Sequence, residues 1–186
     1  MAADTPFDLQ GHRGARGLRP ENTLAAFAHA LSIGVTTLEL DTAVTRDGVV
    51  VVSHDSALNP DITRDGSGQW LTRTGPAIHS LTFAELQRYD VGRTRPGSSY
   101  ARRFKDQVAQ DGERIPRLAD LFGLVERSGN VEVRFNIETK LDPRTLFKNP
   151  VMFVVEVVAA LTTILFVRDL VTGAEDLGFS FQIILW

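Results

Sequence analysis

Residues 35–55, VTTLELDTAVTRDGVVVVSHD, form the stretch that decides the fold of this 186-residue chain. Its first ten residues are mostly β-branched or apolar, which predicts a β-strand over 35–44. Side chains two apart in a strand point the same way, so Glu39 and Asp41 share one face near the end of that strand. The sequence therefore places two carboxylates side by side.

The same stretch continues through Asp47-Gly48 into a second apolar run at 49–52, which is followed by His54. Asp-Gly between two short strands favours an antiparallel hairpin, and there are too few residues for a crossover helix. The upstream order of strand, helix and strand instead favours a parallel α/β sheet. The sequence leaves this conflict open.

The upstream elements are a short predicted strand at 7–10, a glycine-rich loop and a predicted helix. Asn22 or Thr23 can cap the first turn of this helix, and Glu21 suits the positive end of the helix dipole. An apolar face with helical spacing follows, and Gly34 is placed to end the helix.

Downstream lies a polar stretch, 56–115, which we interpret as an insertion that serves as a lid or a binding segment. One helix is predicted within it, 83–89, introduced by Thr82. Beyond the insertion, 115–129 predicts an amphipathic helix and 131–140 predicts a strand with alternating apolar and polar residues. The sheet thus resumes after the insertion.

The composition excludes several function classes. A net charge of −3 and a pI near 5.8 give no general attraction to nucleic acid or to an anionic membrane. The chain has no cysteine, which excludes disulfides, thiolate metal ligands and a cysteine nucleophile. The first ten residues have neither a basic nor an apolar segment, so no signal peptide is read and the cellular location is unknown.

Several ionisable residues lie at the ends of predicted strands, where α/β sheets and barrels hold their ligands and catalytic groups. They are His12, Glu39, Asp41, His54, Glu138 and Lys140. Three carboxylates are hard oxygen ligands that suit Mg²⁺ or Ca²⁺, and two histidines offer a general acid and a general base. Arg13 and Lys140 add positive charge that suits a phosphate. The set fits metal-assisted phosphodiester hydrolysis.

Each of these residues also has an ordinary structural explanation. Glu39 and Asp41 could form a solvated strand face, and a loop histidine or a lysine after a strand is usually exposed. Asp55 fits a turn or orienting residue better than a metal ligand, and His29 and His79 fit structural or exposed positions. The functional hypothesis rests on the agreement of several placements at strand ends.

Residues 7–140 resemble the glycerophosphodiester phosphodiesterase family. The motifs that carry the resemblance are GHRGARGLRPENTLAAF (11–27), LELDTAVTRDGVVVVSHD (38–55), TRDGSGQWL (63–71), RIPRLADLF (114–122) and FNIETK (135–140). The resemblance implies a (β/α)₈ barrel that hydrolyses glycerophosphodiesters to an alcohol and glycerol 3-phosphate, a reaction of lipid and glycerol metabolism.

The resemblance also implies roles for seven residues. The catalytic histidines are His12 and His54, the metal ligands are Glu39, Asp41 and Glu138, and the phosphate-binding residues are Arg13 and Lys140. A Mg²⁺ or Ca²⁺ cofactor and a small-molecule glycerophosphodiester substrate follow, with no nucleic-acid partner. The alcohol group of the substrate and the oligomeric state stay open.

Past Lys140 the composition changes. Residues Val151–Val167, VMFVVEVVAALTTILFV, are 17 residues with one charge, close to the lower limit for a helix that spans a bilayer. Residues 141–186 resemble the N-terminal membrane region of the B subunit of bacterial potassium-transporting P-type ATPases. No DKTGT phosphorylation motif is present, so this resemblance implies a hydrophobic membrane anchor at most.

The expected fold is α/β: the first half of an incomplete (β/α)₈ TIM barrel over 7–140, followed by a hydrophobic helical segment over 141–186. Four barrel strands are counted by Lys140, whereas a barrel of this type needs roughly 250 residues. We interpret the junction as a seam made by accidental joining or by a genuine gene fusion. The alternatives are a variant barrel with 151–167 as a core helix, a catalytically inactive, membrane-associated chimeric fragment, and two such halves that associate to complete a barrel.

Overall fold

The computed structural model describes residues 7–140, so the predicted segment 141–186, with its membrane-like run, lies outside the described residues. The strands are β1 Gln10–His12, β2 Thr37–Val44, β3 Val50–Val52 and β4 Arg134–Thr139. The helices are α1 Leu24–Ile33, α2 Phe83–Leu86, α3 Ser99–Arg103 and α4 Leu118–Ser128, with a 3₁₀ turn at Ile78–Ser80. Within 7–140, every helix is too short or too polar to cross a membrane.

The strand β2 is the centre of the sheet. Both β1 and β4 pair with it in parallel, and β3 pairs with it antiparallel. Thr42 lies opposite Val52 of β3 and also opposite Thr139 of β4. A strand has two edges, so β1 and β3 share one edge of β2 while β4 takes the other.

The conflict between parallel and antiparallel pairing is resolved by a mixed sheet. Gly48 has a φ of 81° and turns the chain back, and Asp47 accepts a hydrogen bond of 2.6 Å from the Thr45 hydroxyl. The Asp-Gly prediction of a hairpin is therefore confirmed. The count of four barrel strands is wrong for the described residues, because β3 returns antiparallel and three parallel strands remain.

The predicted strand at 7–10 is displaced: β1 begins at Gln10, and Phe7 is 83% exposed. Before Gln10 the chain is held differently, because the backbone N–H groups of Thr36 and Thr37 both donate to the Leu9 carbonyl. The side chain of Asp8 accepts hydrogen bonds from the same two threonines. A polar anchor thus replaces sheet pairing at this end.

The helix α1 begins and ends where the sequence predicts. The hydroxyl of Thr23 accepts a hydrogen bond of 3.2 Å from the Ala26 N–H, and Gly34 ends the helix in the left-handed region. The buried face of α1 packs against β2 and α4. This first core cluster consists of Phe27, Ala30, Val35, Leu38, Leu40, Val52, Leu121 and Val125. Burial of this face, rather than helix propensity, holds α1 on the sheet.

The insertion 56–115 packs on strands β2 and β3 through a second core cluster. This second cluster consists of Ala43, Val51, Leu58, Ile78, Leu86, Val91 and Ile115. The helix α2 starts at a capping box formed by Thr82 and Glu85, as Thr82 predicts, but it ends at Leu86 rather than 89. The helix α3 was not predicted, because its five residues are too few to show a periodic pattern.

Candidate active site

Three carboxylates meet at the centre of the sheet. Asp41 of β2 lies directly opposite Glu138 of β4, and Glu39 points to the same side two residues earlier. One oxygen from each of these three residues lies within 4.8 Å of the other two. The strand register and the alternation of side chains therefore bring three negative charges together. These charges repel one another unless a cation compensates them.

The carboxylates differ in burial. Asp41 is 1% exposed, whereas the side chain of Glu138 is 58% exposed. The Oδ2 atom of Asp41 lies 3.3 Å from Arg13 Nε, yet both atoms are buried without a well-aligned hydrogen bond. A buried carboxylate oxygen without a donor costs free energy. Three hard oxygen ligands, one of them without a hydrogen-bond donor, fit a divalent cation of the Mg²⁺ or Ca²⁺ class.

The two histidines reach the cluster from different elements. His12 ends β1, and its Nε2 atom lies 3.7 Å from Glu39 Oε2. His54 is carried back to the cluster by the antiparallel strand β3, where the Ser53 N–H donates to the Asp41 carbonyl. The expectation that His54 follows a parallel strand is therefore wrong, because β3 runs antiparallel to β2. Lys140 and, more weakly, the charge of His54 lower the pKa of Glu138.

The ring of His54 is held by a carboxylate. Its Nδ1 atom lies 2.7 Å from Asp55 Oδ1, and Asn59 donates to the other oxygen of Asp55 at 2.8 Å. A carboxylate at Nδ1 favours the tautomer with the proton there, which leaves Nε2 free to exchange a proton. Asp55 occupies the orienting position that the sequence favours. Of the other histidines, His29 on α1 and His79 in the 3₁₀ turn are both partly buried.

Arg13 and Lys140 both contact the carboxylates. The backbone N–H of Arg13 donates to Glu39 Oε2 at 2.8 Å, and the Arg13 guanidinium is buried beside Asp41. The Nζ atom of Lys140 lies 3.5 Å from Asp41 Oδ1 and contacts Glu138 directly. The hydrogen bond from Lys140 lowers the pKa of Glu138, and the same bond raises the pKa of Lys140.

Sequence reasoning missed a buried network behind Arg13. Glu21 does not serve the dipole of α1, because it precedes the helix and accepts a hydrogen bond of 2.9 Å from Arg13 NH1. Its second carboxylate oxygen accepts a hydrogen bond from the Tyr100 hydroxyl and forms an ion pair with Arg16, whose Nε atom lies 2.6 Å away without hydrogen-bond geometry. In the sequence, the indication of this role for Glu21 is an acidic residue close to the loop arginines Arg13 and Arg16. Tyr100 lies 79 residues from Glu21, so no local pattern points to it.

The network shifts the pKa values of its members. Burial works to lower the pKa of Arg13, but the negative charges of Glu21 and Asp41 outweigh it and raise that pKa above its ordinary value. Burial and the charge of Glu21 raise the pKa of the Tyr100 hydroxyl. Arg13 therefore stays cationic and Tyr100 stays a neutral hydrogen-bond donor at physiological pH.

Comparison with known proteins shows two similarities. A potassium-transporting ATPase ATP-binding subunit from Mesorhizobium japonicum is 68% identical over 47 residues, which are 25% of this chain and 7% of that protein. The predicted resemblance of the C-terminal stretch is thereby confirmed. A glycerophosphodiester phosphodiesterase from Caldanaerobacter subterraneus is 35% identical over 129 residues, which are 69% of this chain and 43% of that protein.

Two solved structures resemble the chain. A crystal structure from Silicibacter pomeroyi, assigned to the glycerophosphoryl diester phosphodiesterases, is 41% identical with a TM-score of 0.74 and covers 78% of this chain and 49% of that one. An Oleispira antarctica phosphodiesterase, solved with the product sn-glycerol-3-phosphate, is 26% identical with a TM-score of 0.54, over 75% of this chain and 47% of that one.

The chain spans less than half the length of these phosphodiesterase relatives. The model of the glycerophosphoryl diester phosphodiesterase family matches residues 12–180, which runs past Lys140, where the motifs of the resemblance end. The structural neighbours imply a TIM-barrel-like α/β fold, in keeping with the α/β sheet of residues 7–140. The matched residues make up most of the chain, which therefore belongs to the glycerophosphoryl diester phosphodiesterase family.

Proposed function

We propose that the chain carries a site for the metal-dependent hydrolysis of glycerophosphodiesters to an alcohol and glycerol 3-phosphate. The observation that carries this proposal is the convergence of Glu39, Asp41 and Glu138 within 4.8 Å, with His12 3.7 Å from Glu39. Carboxylates beside an imidazole suit the hydrolysis of an anionic diester at neutral pH. The product complex of the Oleispira relative supports the same class of substrate.

In this proposal Glu39, Asp41 and Glu138 hold a divalent cation, Mg²⁺ or Ca²⁺. A cation bound there would polarise a phosphoryl oxygen and offset the charge that grows on it. Two strands that are hydrogen-bonded to each other supply the carboxylates, so their spacing is fixed before substrate binds. Arg13 and Lys140 balance the charge of Asp41 and lie where an anionic phosphate would be attracted.

His12 and His54 act as the general acid–base pair. Hydrolysis requires one group to remove a proton from the attacking oxygen and another to give a proton to the leaving alkoxide as the phosphorus–oxygen bond breaks. Asp55 orients His54 through Nδ1, and Nε2 is the atom that exchanges the proton. The side chain of His12 is 58% exposed, so substrate can reach it from solvent.

Release of glycerol 3-phosphate from glycerophosphocholine tests this function. The purified full chain is assayed with Mg²⁺, with Ca²⁺ and with EDTA. We expect metal-dependent turnover that His12→Ala and Glu39→Ala each reduce by at least about 100-fold. His29→Ala is the matched control, because His29 lies on α1 and outside the carboxylate cluster, so turnover should stay unchanged. No turnover with either metal would overturn the proposal.

For the domain organisation we propose a phosphodiesterase domain at 7–140, comprising the first strands of a (β/α)₈ barrel with the insertion 56–115, joined near Lys140 to a hydrophobic segment at 141–186. The 68% identity to a potassium-transporting ATPase subunit over 47 residues supports the join. Genomic DNA across codons 136–150, read from an independent sample, tests it. An uninterrupted phosphodiesterase reading frame there would refute it.

A second candidate function is a catalytically inactive, membrane-associated fragment, favoured by the same ATPase similarity and by the apolar run Val151–Val167. Fractionation of cells that express the full chain distinguishes the two candidates. Recovery in the membrane fraction without metal-dependent turnover would support the fragment. Recovery as a monodisperse soluble protein would contradict it, and the mass of that species would give the oligomeric state.

A further inference from the structure

We propose that Tyr100, on helix α3 of the insertion, is a positioning residue that holds Arg13 at the candidate active site through Glu21. This inference rests on the proposed function, in which Arg13 faces the phosphate. Tyr100 is far from the carboxylates in sequence and belongs to none of the motifs that define the resemblance. Its role follows from a chain of contacts through a buried part of the molecule.

The first link joins Tyr100 to Glu21. The Tyr100 hydroxyl donates a hydrogen bond to Glu21 Oε2 and accepts one from Arg16 NH2. Glu21 is 6% exposed, so its carboxylate depends on protein donors rather than on water. Without the Tyr100 hydroxyl, Glu21 Oε2 would keep its ion-pair contact with Arg16 Nε, which lacks hydrogen-bond geometry, and the carboxylate would be free to turn toward that atom.

The second link joins Glu21 to Arg13. Arg13 NH1 donates to Glu21 Oε1 at 2.9 Å, and the Nε side of the same guanidinium lies 3.3 Å from Asp41 Oδ2. The guanidinium is thus held between one carboxylate that the loop supplies and one that the sheet supplies. Its orientation depends on where Glu21 points, because the contact with Asp41 lacks hydrogen-bond geometry.

The position of Tyr100 is itself fixed. The Arg16 guanidinium lies 5.1 Å from the Tyr100 ring centroid and 4.6 Å from that of Phe104, so cation–π contacts bind the arginine to both rings. The two rings also touch each other, with centroids 5.1 Å apart. These contacts survive removal of the hydroxyl alone, so Tyr100→Phe isolates the hydrogen bond to Glu21.

The charges explain why the hydroxyl matters. Arg13, Arg16, Glu21 and Asp41 are all buried or nearly so, and two cations face two anions. A buried ion cluster is favourable only when its hydrogen bonds are satisfied and its geometry is fixed. Tyr100 adds a neutral donor that fixes Glu21 without changing this balance. The insertion thereby determines the orientation of Arg13 without touching substrate.

The test compares Tyr100→Phe with Tyr89→Phe. Tyr89 also belongs to the insertion and packs against the second cluster, but its hydroxyl makes no hydrogen bond within residues 7–140. Hydrogen exchange of the Arg13 guanidinium protons is measured by NMR on the full chain without ligand, with Arg13→Lys to identify the signals. We expect exchange about tenfold faster in Tyr100→Phe, as loss of a charged hydrogen bond implies, and unchanged exchange in Tyr89→Phe.

A second measurement separates this inference from the proposed function. Binding of sn-glycerol 3-phosphate with Mg²⁺, measured by calorimetry, should weaken about tenfold in Tyr100→Phe, while Mg²⁺ affinity alone changes less than twofold. Unchanged Arg13 exchange in Tyr100→Phe would overturn the positioning role, whatever the binding result. Faster exchange in a chain that binds no glycerol 3-phosphate would support the positioning role and refute the proposed function.

Discussion

Gly14 lies where the loop after β1 passes against helix α1. Its φ is +81°, in the left-handed region, and a Cβ atom there would come within 2.8 Å of both the carbonyl carbon and the Cβ of Ala26. Those atoms belong to the helix backbone and its first buried turn, which cannot move without disturbing the core. The loop that carries His12 and Arg13 can therefore approach α1 this closely only because Gly14 has no side chain.

We predict that Gly14→Ala lowers the free energy of unfolding by about 2–5 kcal/mol, because a left-handed φ costs about 1–2 kcal/mol and overpacking about 1–3 kcal/mol. Urea denaturation of the two proteins measures the difference. Gly17→Ala is the control, since a Cβ at Gly17 meets nothing within 4 Å. Its stability should change by less than about 1 kcal/mol. Equal effects of the two changes would contradict the close approach.

Asp55 carries a prediction about the orientation of His54. In Asp55→Asn the Asn59 contact can persist, but the amide no longer favours the His54 tautomer with its proton on Nδ1. We expect kcat for glycerophosphodiester hydrolysis to fall about 10–1000-fold with a small change in KM, since binding groups are untouched. Asp61→Asn, in the same loop, is the control. A rise in KM with kcat unchanged would argue against an orienting role.

The individual site residues differ in how far the sequence determines them. Glu39 and Asp41 are predictable from strand alternation, and Glu138 follows from the same rule in β4. The contacts of Glu21 with Arg13 and of Tyr100 with Glu21 are not, because they depend on how the loop and the insertion fold back. Local sequence patterns predict which face of a helix or strand a side chain occupies. These hydrogen bonds join residues of different elements, which local patterns do not predict.

The three parallel strands are tied together at their amino ends by Asp8. Its Oδ1 atom accepts hydrogen bonds from the hydroxyls of Thr36 and Thr37 at 2.8 and 2.6 Å and from Arg134 at 2.7 Å. Hydrogen bonds from Thr37, Gln10 and Thr36 lower the pKa of Asp8 from 3.8 to about 2. One carboxylate therefore links the segment before β1 to both β2 and β4.

This pKa shift predicts a pH dependence of stability. A lowered native pKa stabilises the folded state above the unfolded pKa of 3.8, and this contribution is lost as the pH falls toward about 2. Wild type should therefore be more stable than Asp8→Asn at pH 5, and the difference should shrink between pH 4 and pH 2. Urea denaturation at each pH measures it. A pH-independent difference between wild type and Asp8→Asn would contradict the assignment.

Among the elements, helix α1 and the β2–β3 hairpin are the best determined by sequence. Thr23, Gly34 and Asp47-Gly48 are local signals whose chemistry operates within a few residues. The pairing of β4 with β2 could not be read in the same way, because ninety residues separate Val44 from Arg134 and register depends on packing. The count of four barrel strands failed because it included β3, although Asp47-Gly48 indicates that β3 returns antiparallel to β2.

At the scale of the whole molecule, folding forms the candidate metal site, so metal binding and stability are coupled. Glu39 and Asp41 come from β2 and Glu138 from β4, so the carboxylates approach one another only when these strands pair. An unfolded chain has no such cluster. A divalent cation should therefore bind the native state alone and stabilise it by mass action.

We predict that Ca²⁺ or Mg²⁺ at about 100 times its dissociation constant stabilises the protein by about 2.7 kcal/mol, which raises Tm by roughly 5–10 °C. Glu138→Gln should abolish this rise. In EDTA the same variant should be about as stable as wild type, because the favourable contact of Glu138 with Lys140 is largely exposed and Lys140 keeps Asp41 as a partner. The two proteins therefore differ in stability only when metal is added, which loss of packing cannot produce. Glu132→Gln lies outside the carboxylate cluster and should respond to metal as wild type does. If Glu138→Gln is still stabilised by metal to the same extent, the cation binds elsewhere.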